Sequence, residues 1–249
     1  MKGPMLVYKT SFFSVYFGDA QSSLPRDFLM TPCRKEELWQ EKPLGAIKTQ
    51  LQLEDLVFLK QTHSTLGEVV SDENLSALMR YKPEGDFLIT QRAQTGLGVY
   101  TADCLPIVVY DKAHNVMGMC HAGWMGTVHK VIVHMLQRMQ KEYGTDLEQI
   151  QILFGPSAQA CCYEVQEDFR GHLKDFSFQE RVLHERSGKL YFDIPLCNKL
   201  QLLECGVKPE QCDFSYNTCT ICVDGFCSNR RNRESMNRQL TVAVLNKKI

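Results

Sequence analysis

Residues 101–126 read TADCLPIVVYDKAHNVMGMCHAGWMG, and this stretch says most about the fold. Residues 106–110 and 116–120 are two short, mainly apolar runs, and the polar segment 111–115 separates them. Short apolar runs on either side of a turn are typical of neighbouring β-strands. The second run leads directly into His121, so the sequence predicts a histidine at the end of a buried strand.

An amphipathic helix is predicted after His121. Apolar residues recur there with the three- and four-residue spacing of one helical face; they are Val128, Val131, Ile132, Met135, Leu136 and Met139. Gly144 is a typical residue just beyond a helix C-terminus, and we expect the helix to start near Gly126 or Thr127. Its N-terminal amides would then face an anion near His121.

Outside this stretch, the chain predicts a mixture of strands and helices. Short apolar runs indicate strands at 56–59, 86–90, 98–101, 150–154 and 240–245. A second helix is predicted from its N-cap Asp193 to Cys205, before Gly206. Residues 1–50 are less regular, and we interpret them as loops, short strands and a short helix. Successive strands followed by helices predict a mixed α/β (α+β) fold with mixed sheets flanked by helices, and one domain over 1–249.

Composition excludes several classes of protein. The 249 residues are 44% hydrophobic and 23% charged, which is ordinary for a globular protein. The net charge of -1 argues against a general nucleic-acid or membrane-surface binder. Lys2 is followed by no long apolar core, and nothing approaches the roughly 18 apolar residues of a membrane span. We therefore expect a cytoplasmic protein that does not bind membranes.

The eleven cysteines are an odd number. In a reducing compartment most would be buried thiols, with a ligand or nucleophile among them, rather than a disulfide framework. Cys161 next to Cys162 is interpreted as a buried strand end. A second, structural metal on Cys212, Cys219, Cys222 and Cys227 is a lesser alternative, because their spacings differ from those of a standard zinc ribbon.

Three candidate metal ligands lie at predicted strand ends: His63, Cys104 and His121. Imidazole nitrogen and thiolate suit zinc, and three protein ligands leave a fourth position open, as in catalytic sites. The spacings match no short zinc-finger pattern. Taken one at a time, such residues are more often buried thiols or hydrogen-bonded core histidines.

The strings around these residues resemble the signatures of the laccase-domain family, also called YfiH-like or multicopper polyphenol oxidase-like proteins. The matching strings keep the family order from about residue 55 onward; they are Gln61-Thr62-His63, Thr101-Ala102-Asp103-Cys104-Leu105-Pro106, His121-Ala122-Gly123-Trp124-Met125-Gly126, Gly155-Pro156, Cys162-Tyr163-Glu164-Val165, Cys219-Thr220 and Ser228-Asn229-Arg230-Arg231.

The resemblance implies a YfiH-like fold, similar to that of toxin deamidases. It also implies one zinc per chain, held by His63, Cys104 and His121. Members of the family are described as purine nucleoside phosphorylases that use phosphate to cleave adenosine, inosine, guanosine or methylthioadenosine, and that also deaminate adenosine. Nucleoside and phosphate are therefore the expected partners, and we expect a monomer or a weak dimer.

Further site residues follow from the same motifs. Asp103 adjoins the cysteine and is expected to carry a proton or to orient the site, although a turn residue that bonds backbone amides fits the sequence equally well. Gln61, Arg230, Arg231 and Arg238 are expected to contact substrate. Arginine suits phosphate because its planar fork pairs with phosphate oxygens. For the basic cluster at 230–233 alone, a solvated turn is the ordinary interpretation.

Other functions remain open on sequence alone. Copper, as in a polyphenol oxidase, is the less favoured metal, because several copper centres need many histidines and the chain has seven. A metal-free hydrolase or deamidase could use Cys104 as nucleophile and His121 as base. A non-catalytic binding protein that keeps the fold is a third alternative.

The chain departs from the family pattern in three places. Residues 15–23 do not keep the N-terminal string with its arginine and glycine pair. Met125 stands where the family has an arginine beside the metal, and Met236-Asn237-Arg238 replaces a threonine-glycine-arginine motif. The expected zinc ligands are kept, so these changes bear on the substrate.

Overall fold

The computed structural model describes residues 6–247. Residues 1–5 and 248–249 of the predicted domain lie outside this range, and so does Lys2, the basic residue that no long apolar core follows. The strands are β1 (Leu6–Lys9), β2 (Phe13–Phe17), β3 (Leu24–Pro25), β4 (Asp55–Phe58), β5 (Gly67–Val70), β6 (Phe87–Thr90), β7 (Thr95–Thr101), β8 (Leu105–Asp111), β9 (Val116–Ala122), β10 (Ile150–Phe154), β11 (Glu164–Val165), β12 (Leu183–Arg186), β13 (Lys189–Phe192), β14 (Cys212–Asp213) and β15 (Asn237–Leu245).

Helices cover the strands on both outer sides. They are α1 (Arg26–Met30), α2 (Lys35–Gln40), α3 (Lys42–Leu51), α4 (Leu75–Tyr81), α5 (Trp124–Val128), α6 (Val131–Tyr143), α7 (Gln179–Val182) and α8 (Ile194–Glu204). Short 3-10 helices lie at Ala20–Ser22, Leu147–Gln149, Glu167–Leu173 and Pro209–Gln211. Among the helices of residues 6–247, none combines the length and apolar character needed to cross a bilayer.

Two large mixed sheets and one small sheet organise these strands. The first has the order β1-β2-β15-β7-β4, with β3 also paired to β15. The second has the order β14-β10-β8-β9-β6-β5, and β11-β13-β12 form the third. Strands β8 and β9 are the predicted antiparallel hairpin, with Leu105 opposite Ala122 and Asp111 opposite Val116.

The two large sheets pack face to face, which explains why central strands such as β7, β8 and β9 are buried along their whole length. Along β8, Val108 packs with residues of both sheets, including Val15 and Leu97 of the first. Its neighbours Ile107 and Val109 belong to a separate cluster with the helices on the other side. Side chains alternate between the two faces of a strand, so a strand buried on both faces loses the polar alternation of a surface strand.

Each outer face is covered by its own helices. Buried residues of α6 and α8, such as Met135 and Leu200, pack on the second sheet. Residues of α1 to α3, such as Leu29, Leu44 and Ile47, pack on the first. The layers therefore run helix, sheet, sheet, helix, and the predicted fold of mixed sheets flanked by helices is confirmed.

The helix predicted after His121 is broken into α5 and α6. Lys130 adopts a left-handed conformation with φ 62° between the two helices. The Thr127 carbonyl, which a continuous helix would use four residues later, accepts instead from Gln201 Nε2 at 2.8 Å and from the Lys130 amide at 3.0 Å. The prediction of one helix from Gly126 or Thr127 is thus wrong, because the Thr127 carbonyl accepts a hydrogen bond from Gln201 of α8.

The other predicted helix and strands are present in the structure. The predicted second helix is confirmed as α8, whose N-cap Asp193 accepts from the Leu196 amide at 2.9 Å. The five other predicted strands exist as β4, β6, β7, β10 and β15; β10 has the predicted bounds, and each of the other four has at least one end displaced by one to three residues. The first fifty residues are more regular than predicted, since they include α1, α2 and the ten-residue α3.

Candidate functional site

The loop after β4 carries His63, and a buried carboxylate holds that loop in place. Asp86 precedes β6 and accepts hydrogen bonds from the His63 amide at 3.1 Å and the Ser64 amide at 2.6 Å. The Ser64 hydroxyl donates to the same carboxylate at 2.7 Å. His63 has a left-handed φ of 60°, so the chain turns sharply there. The turn and the carboxylate together fix the position of the imidazole.

The hairpin supplies the other two side chains. Cys104 immediately precedes β8, and His121 lies near the end of β9, opposite Pro106. His121 is buried, and its Nδ1 lies 2.7 Å from Asp86 Oδ1. This contact leaves Nε2 of His121 free to act as a ligand. The same carboxylate therefore organises both histidines.

His63, Cys104 and His121 converge on one point. One ligand atom from each lies within 4.8 Å of the others, and Cys104 Sγ is 3.6 Å from His63 Nε2. Gly123 makes room for this approach, because a Cβ there would lie 2.5 Å from His63 Cδ2 and 3.0 Å from Cys104 Sγ. The close approach of His63 and Cys104 therefore requires the glycine at position 123 of the His121–Gly126 motif.

The charges in the cluster are coupled. Burial would raise the pKa of the Cys104 thiol, but the adjacent His121 and His63 lower it to about 6. Burial would lower the pKa of His121, but the Cys104 thiolate and Asp86 raise it to about 9. Without a metal, neutral pH therefore favours a thiolate beside an imidazolium. Cysteine already has the ionisation state that a metal requires.

The cluster forms one wall of a pocket of about 370 Å³. Three arginines line it, namely Arg26, Arg230 and Arg238, and so do three aromatic residues, Tyr100, Trp124 and Tyr163. The pKa of Arg238 is lowered, first by burial and then by the neighbouring charge of Arg26. Cations this close together attract an anion. Arg26 was missed by the sequence reasoning, since a lone arginine after Pro25 carries no motif.

Residues 41–246 match the family described as multi-copper polyphenol oxidoreductase laccase. The chain belongs to this family. The match covers most of the chain, and the resemblance indicated by its motifs is confirmed.

The relatives of this chain carry other names. A purine nucleoside phosphorylase of Clostridium acetobutylicum is 30% identical over 245 residues, covering 98% of this chain and 96% of that protein. One from Aquifex aeolicus is 39% identical over 162 residues, covering 65% of this chain and 71% of that protein. Adenosine deaminase RL5, from an unknown prokaryotic organism, is 32% identical over 170 residues, covering 65% of this chain and 64% of that protein.

A solved structure supports the family fold. The crystal structure of Bacillus licheniformis hypothetical protein YfiH superposes with a TM-score of 0.81 at 23% identity. The superposition covers 94% of this chain and 93% of that one. At this level of identity the likeness concerns the fold alone, and it confirms the YfiH-like architecture.

Asp103, from the family's cysteine motif, lines the pocket and is fully engaged in hydrogen bonds. Its carboxylate accepts from the Thr220 hydroxyl at 2.8 Å and the Arg230 amide at 2.7 Å. Its carbonyl accepts from the Ala158 amide at 2.8 Å. The residue has φ 83°, so it is also the turn between β7 and β8. These contacts suit a residue that positions its neighbours.

Of the residues expected to contact substrate, Arg231 is the one that does not line the pocket. Gln61 lines the pocket, but its side-chain amide is bonded at both ends to the backbone of Tyr100, at 2.9 Å each. Arg231 is outside the pocket lining, and its guanidinium donates to backbone carbonyls of Thr220, Ile221, Val223 and Phe226. Of the predicted arginines, Arg230 and Arg238 therefore reach the pocket.

The predicted anion site at a helix N-terminus does not form as expected. The short α5, not the long helix, follows His121, and the long α6 begins only at Val131. Trp124 of α5 lines the pocket with its side chain. The cysteine group considered as a lesser alternative does not form either, because Cys219 and Cys222 lie beside Cys161 and Cys162 rather than Cys212 and Cys227. Cys161 is exposed, so the interpretation as a buried strand end is wrong.

Proposed function

We propose that this chain is a zinc-dependent purine nucleoside phosphorylase that also deaminates adenosine. The observation that carries the proposal is the convergence of Cys104, His63 and His121 on the wall of a pocket lined by three arginines. The names of the relatives from Clostridium acetobutylicum and Aquifex aeolicus support the phosphorylase activity. The name of adenosine deaminase RL5 supports the second activity.

The donor set fits one zinc ion. Two imidazoles and a thiolate are typical ligands of catalytic zinc, with a fourth position open to the pocket. Asp86 bonds His121 as the outer carboxylate of a metal-bound histidine usually does. When bound, zinc supplies Lewis-acid chemistry and lowers the pKa of a coordinated water. Multicopper chemistry would need further histidine-rich centres, and among residues 6–247 the other candidate group contains cysteines alone.

The rest of the pocket suits a nucleoside and phosphate. Arg26, Arg230 and Arg238 are cations around a space large enough for an anion. The Arg230 guanidinium lies over the Tyr163 ring at 4.8 Å and donates to the Glu164 carbonyl at 2.8 Å, so it is held in place. Trp124 and Tyr163 offer flat apolar faces on which a purine can stack. We propose that the arginines bind phosphate and that the aromatic residues bind the base.

The remaining site residues act through others. Asp86 holds both histidines, and Asp103 ties the cysteine turn to Thr220 and Arg230. Gln61 fixes the loop of His63 against Tyr100. We propose these three as positioning residues. Arg231 stabilises its own loop and is left out of the phosphate site.

A metal-free cysteine enzyme is the second candidate, and the charge state favours it. A thiolate with a pKa of about 6 beside an imidazolium with a pKa of about 9 is the ground state of a cysteine–histidine pair. The two candidates differ in their inhibitors. A zinc enzyme loses turnover with a chelator and regains it with zinc, whereas a cysteine nucleophile is blocked by iodoacetamide and survives chelation.

The test combines metal analysis with assays on adenosine, inosine and methylthioadenosine, with and without phosphate. We expect Cys104→Ala to lose the zinc of this site and to lose turnover, because the thiolate is a ligand. Cys205→Ala, a free cysteine near the end of α8 and outside the pocket lining, is the matched control and should keep both. A Cys104→Ala protein that still turned over nucleosides would overturn the proposal. Dioxygen-dependent phenol oxidation with bound copper would favour the oxidase alternative.

A further inference from the structure

A second group of metal-ligand side chains lies outside the candidate catalytic cluster. Cys161 and Cys162 lie in the turns that follow β10, and Cys219 and Cys222 lie in the loop that follows β14. The two segments are joined by backbone hydrogen bonds, since Ser157 donates to the Thr218 carbonyl and Thr220 donates to the Ser157 carbonyl, both at 3.0 Å. The fold thus brings together two cysteine pairs that are far apart in sequence.

The spacing of the four sulfurs fits one shared ion. All four Sγ atoms lie within 4.8 Å of one another, and those of Cys161 and Cys222 are 3.8 Å apart. A zinc–sulfur bond of about 2.3 Å implies sulfurs about 3.8 Å apart around a tetrahedral ion.

One of the two cysteine pairs has the spacing of a zinc-binding loop. Cys219 and Cys222 form a C-x-x-C sequence, and this short spacing commonly lets one loop supply two ligands to a structural zinc ion. Cys161 and Cys162, which are adjacent in sequence, bring the other two sulfurs to the same place.

We propose that Cys161, Cys162, Cys219 and Cys222 bind a second zinc ion in a closed, structural site. Four thiolates in a tetrahedral arrangement are typical of structural zinc. Such a site leaves no position for substrate, so it differs in kind from the cluster of His63, Cys104 and His121. It also uses different cysteines from the group considered on sequence grounds.

The second ion would brace one wall of the pocket. Thr220 lies between the two C-x-x-C cysteines and donates to the Asp103 carboxylate, and Ala158 donates to the Asp103 carbonyl. Tyr163, which follows Cys162, lines the pocket. Clamping the two cysteine segments therefore holds both Asp103 and Tyr163. Because Cys161 and Cys222 are exposed, this ion should also exchange with chelators.

The experiment is zinc analysis of protein purified anaerobically with a thiol reductant, on four chains. We expect two zinc ions per chain in the wild type and in the control Cys205→Ser, and one in Cys104→Ala. We expect one in the double variant Cys161→Ser with Cys222→Ser, whose changed residues are exposed and leave the core intact. Cobalt substitution of Cys104→Ala should retain the strong absorption of a tetrahedral cobalt–thiolate centre, and the double-serine change should abolish it.

The outcomes separate this inference from the proposed function. One zinc in the wild type and in the double-serine variant, with none in Cys104→Ala, would overturn the second site and leave the catalytic proposal standing. One zinc in both the wild type and Cys104→Ala, lost only in the double-serine variant, would do the reverse. An iron–sulfur chromophore, or a mass showing that these cysteines form disulfides, would also overturn the four-thiolate zinc site.

Discussion

Asp86 connects the two histidines of the candidate site, and among residues 6–247 its carboxylate accepts hydrogen bonds from five donors. These donors are His121 Nδ1, the amides of Thr62, His63 and Ser64, and the Ser64 hydroxyl. In Asp86→Asn, the amide NH₂ would face such donors with nothing to accept its hydrogens. We expect zinc affinity at the His63, Cys104 and His121 site to fall about 10- to 100-fold, as for other outer-shell changes.

A second carboxylate–histidine pair provides the control. Asp111, fully buried at the end of β8, lies 3.0 Å from His114 Nδ1 and also accepts from the amides of Ala113 and His114. Asp111→Asn should destabilise the fold in a similar way without changing zinc affinity. Competition with a calibrated chelator measures the affinity. Equal losses of affinity in both variants would contradict the role of Asp86.

Gly123 lies where any larger side chain would press against the candidate metal ligands. Its backbone angles, φ -70° and ψ 175°, are open to any residue, so alanine there meets no backbone strain. The added Cβ would instead collide with His63 and Cys104. We expect Gly123→Ala to lower zinc affinity at least about tenfold by displacing His63, since metal sites respond to small shifts of their ligands.

Gly171→Ala is the matched control for this change. Gly171 lies in the 3-10 helix Glu167–Leu173, and a Cβ there meets no atom within 4 Å. Its zinc content, turnover and melting temperature should match those of the wild type. Zinc affinity and turnover in Gly123→Ala that equalled those of Gly171→Ala would refute the steric argument.

At the scale of elements, α5 depends on α8 for its position. Asn198 is fully buried and donates through Nδ2 to Thr127 Oγ1 and to the Ile194 carbonyl, both at 2.9 Å. Asn198→Ala removes one donor from two buried acceptors, and we expect unfolding free energy to fall by about 1–3 kcal/mol. Because α5 carries Trp124, the KM for nucleoside should rise more than kcat falls.

Denaturant unfolding measures the stability term as a shift in midpoint at constant slope. Gln137→Ala, at an exposed position of α6, is the control and should stay within about 0.5 kcal/mol of the wild type. Wild-type KM in a destabilised Asn198→Ala protein would show that α5 does not depend on this contact.

The elements also show what could be predicted. Strands β8 and β9 are apolar and flank a polar turn, so their hairpin follows from the sequence. The break between α5 and α6 does not, because it arises from Gln201, which is distant in sequence from Thr127. The role of Asp86 depends on sheet order in the same way. It faces His121 because β6 pairs antiparallel with β9, with Phe87 opposite Cys120.

The arginines of the pocket also show which contacts of the whole molecule can be predicted from the sequence and which cannot. Arg230 lies in a family motif and could be predicted, whereas Arg26 lines the pocket from the start of α1, where its backbone amide bonds the Met236 carbonyl just before β15. The four-cysteine group likewise joins segments that no local spacing relates. Contacts made by long-range strand pairing are invisible to periodicity and motif spacing.

Removal of the last strand, β15, shows whether zinc binding depends on the whole sandwich. Strand β15 lies between β2 and β7 in the first sheet and also pairs with β3, so the chain's end fills the middle of that sheet. Its Val242 packs on the helices and its Ala243 packs on the second sheet. A chain ending at Met236 keeps His63, Cys104 and His121, yet it loses a central strand of the sandwich. We expect it to show no cooperative unfolding transition and to retain no zinc, as measured by calorimetry and metal analysis.

Asn237→Ala, at the exposed start of the same strand, should behave as the wild type. A truncated chain that unfolded cooperatively and held zinc would mean that the ligand cluster does not need β15.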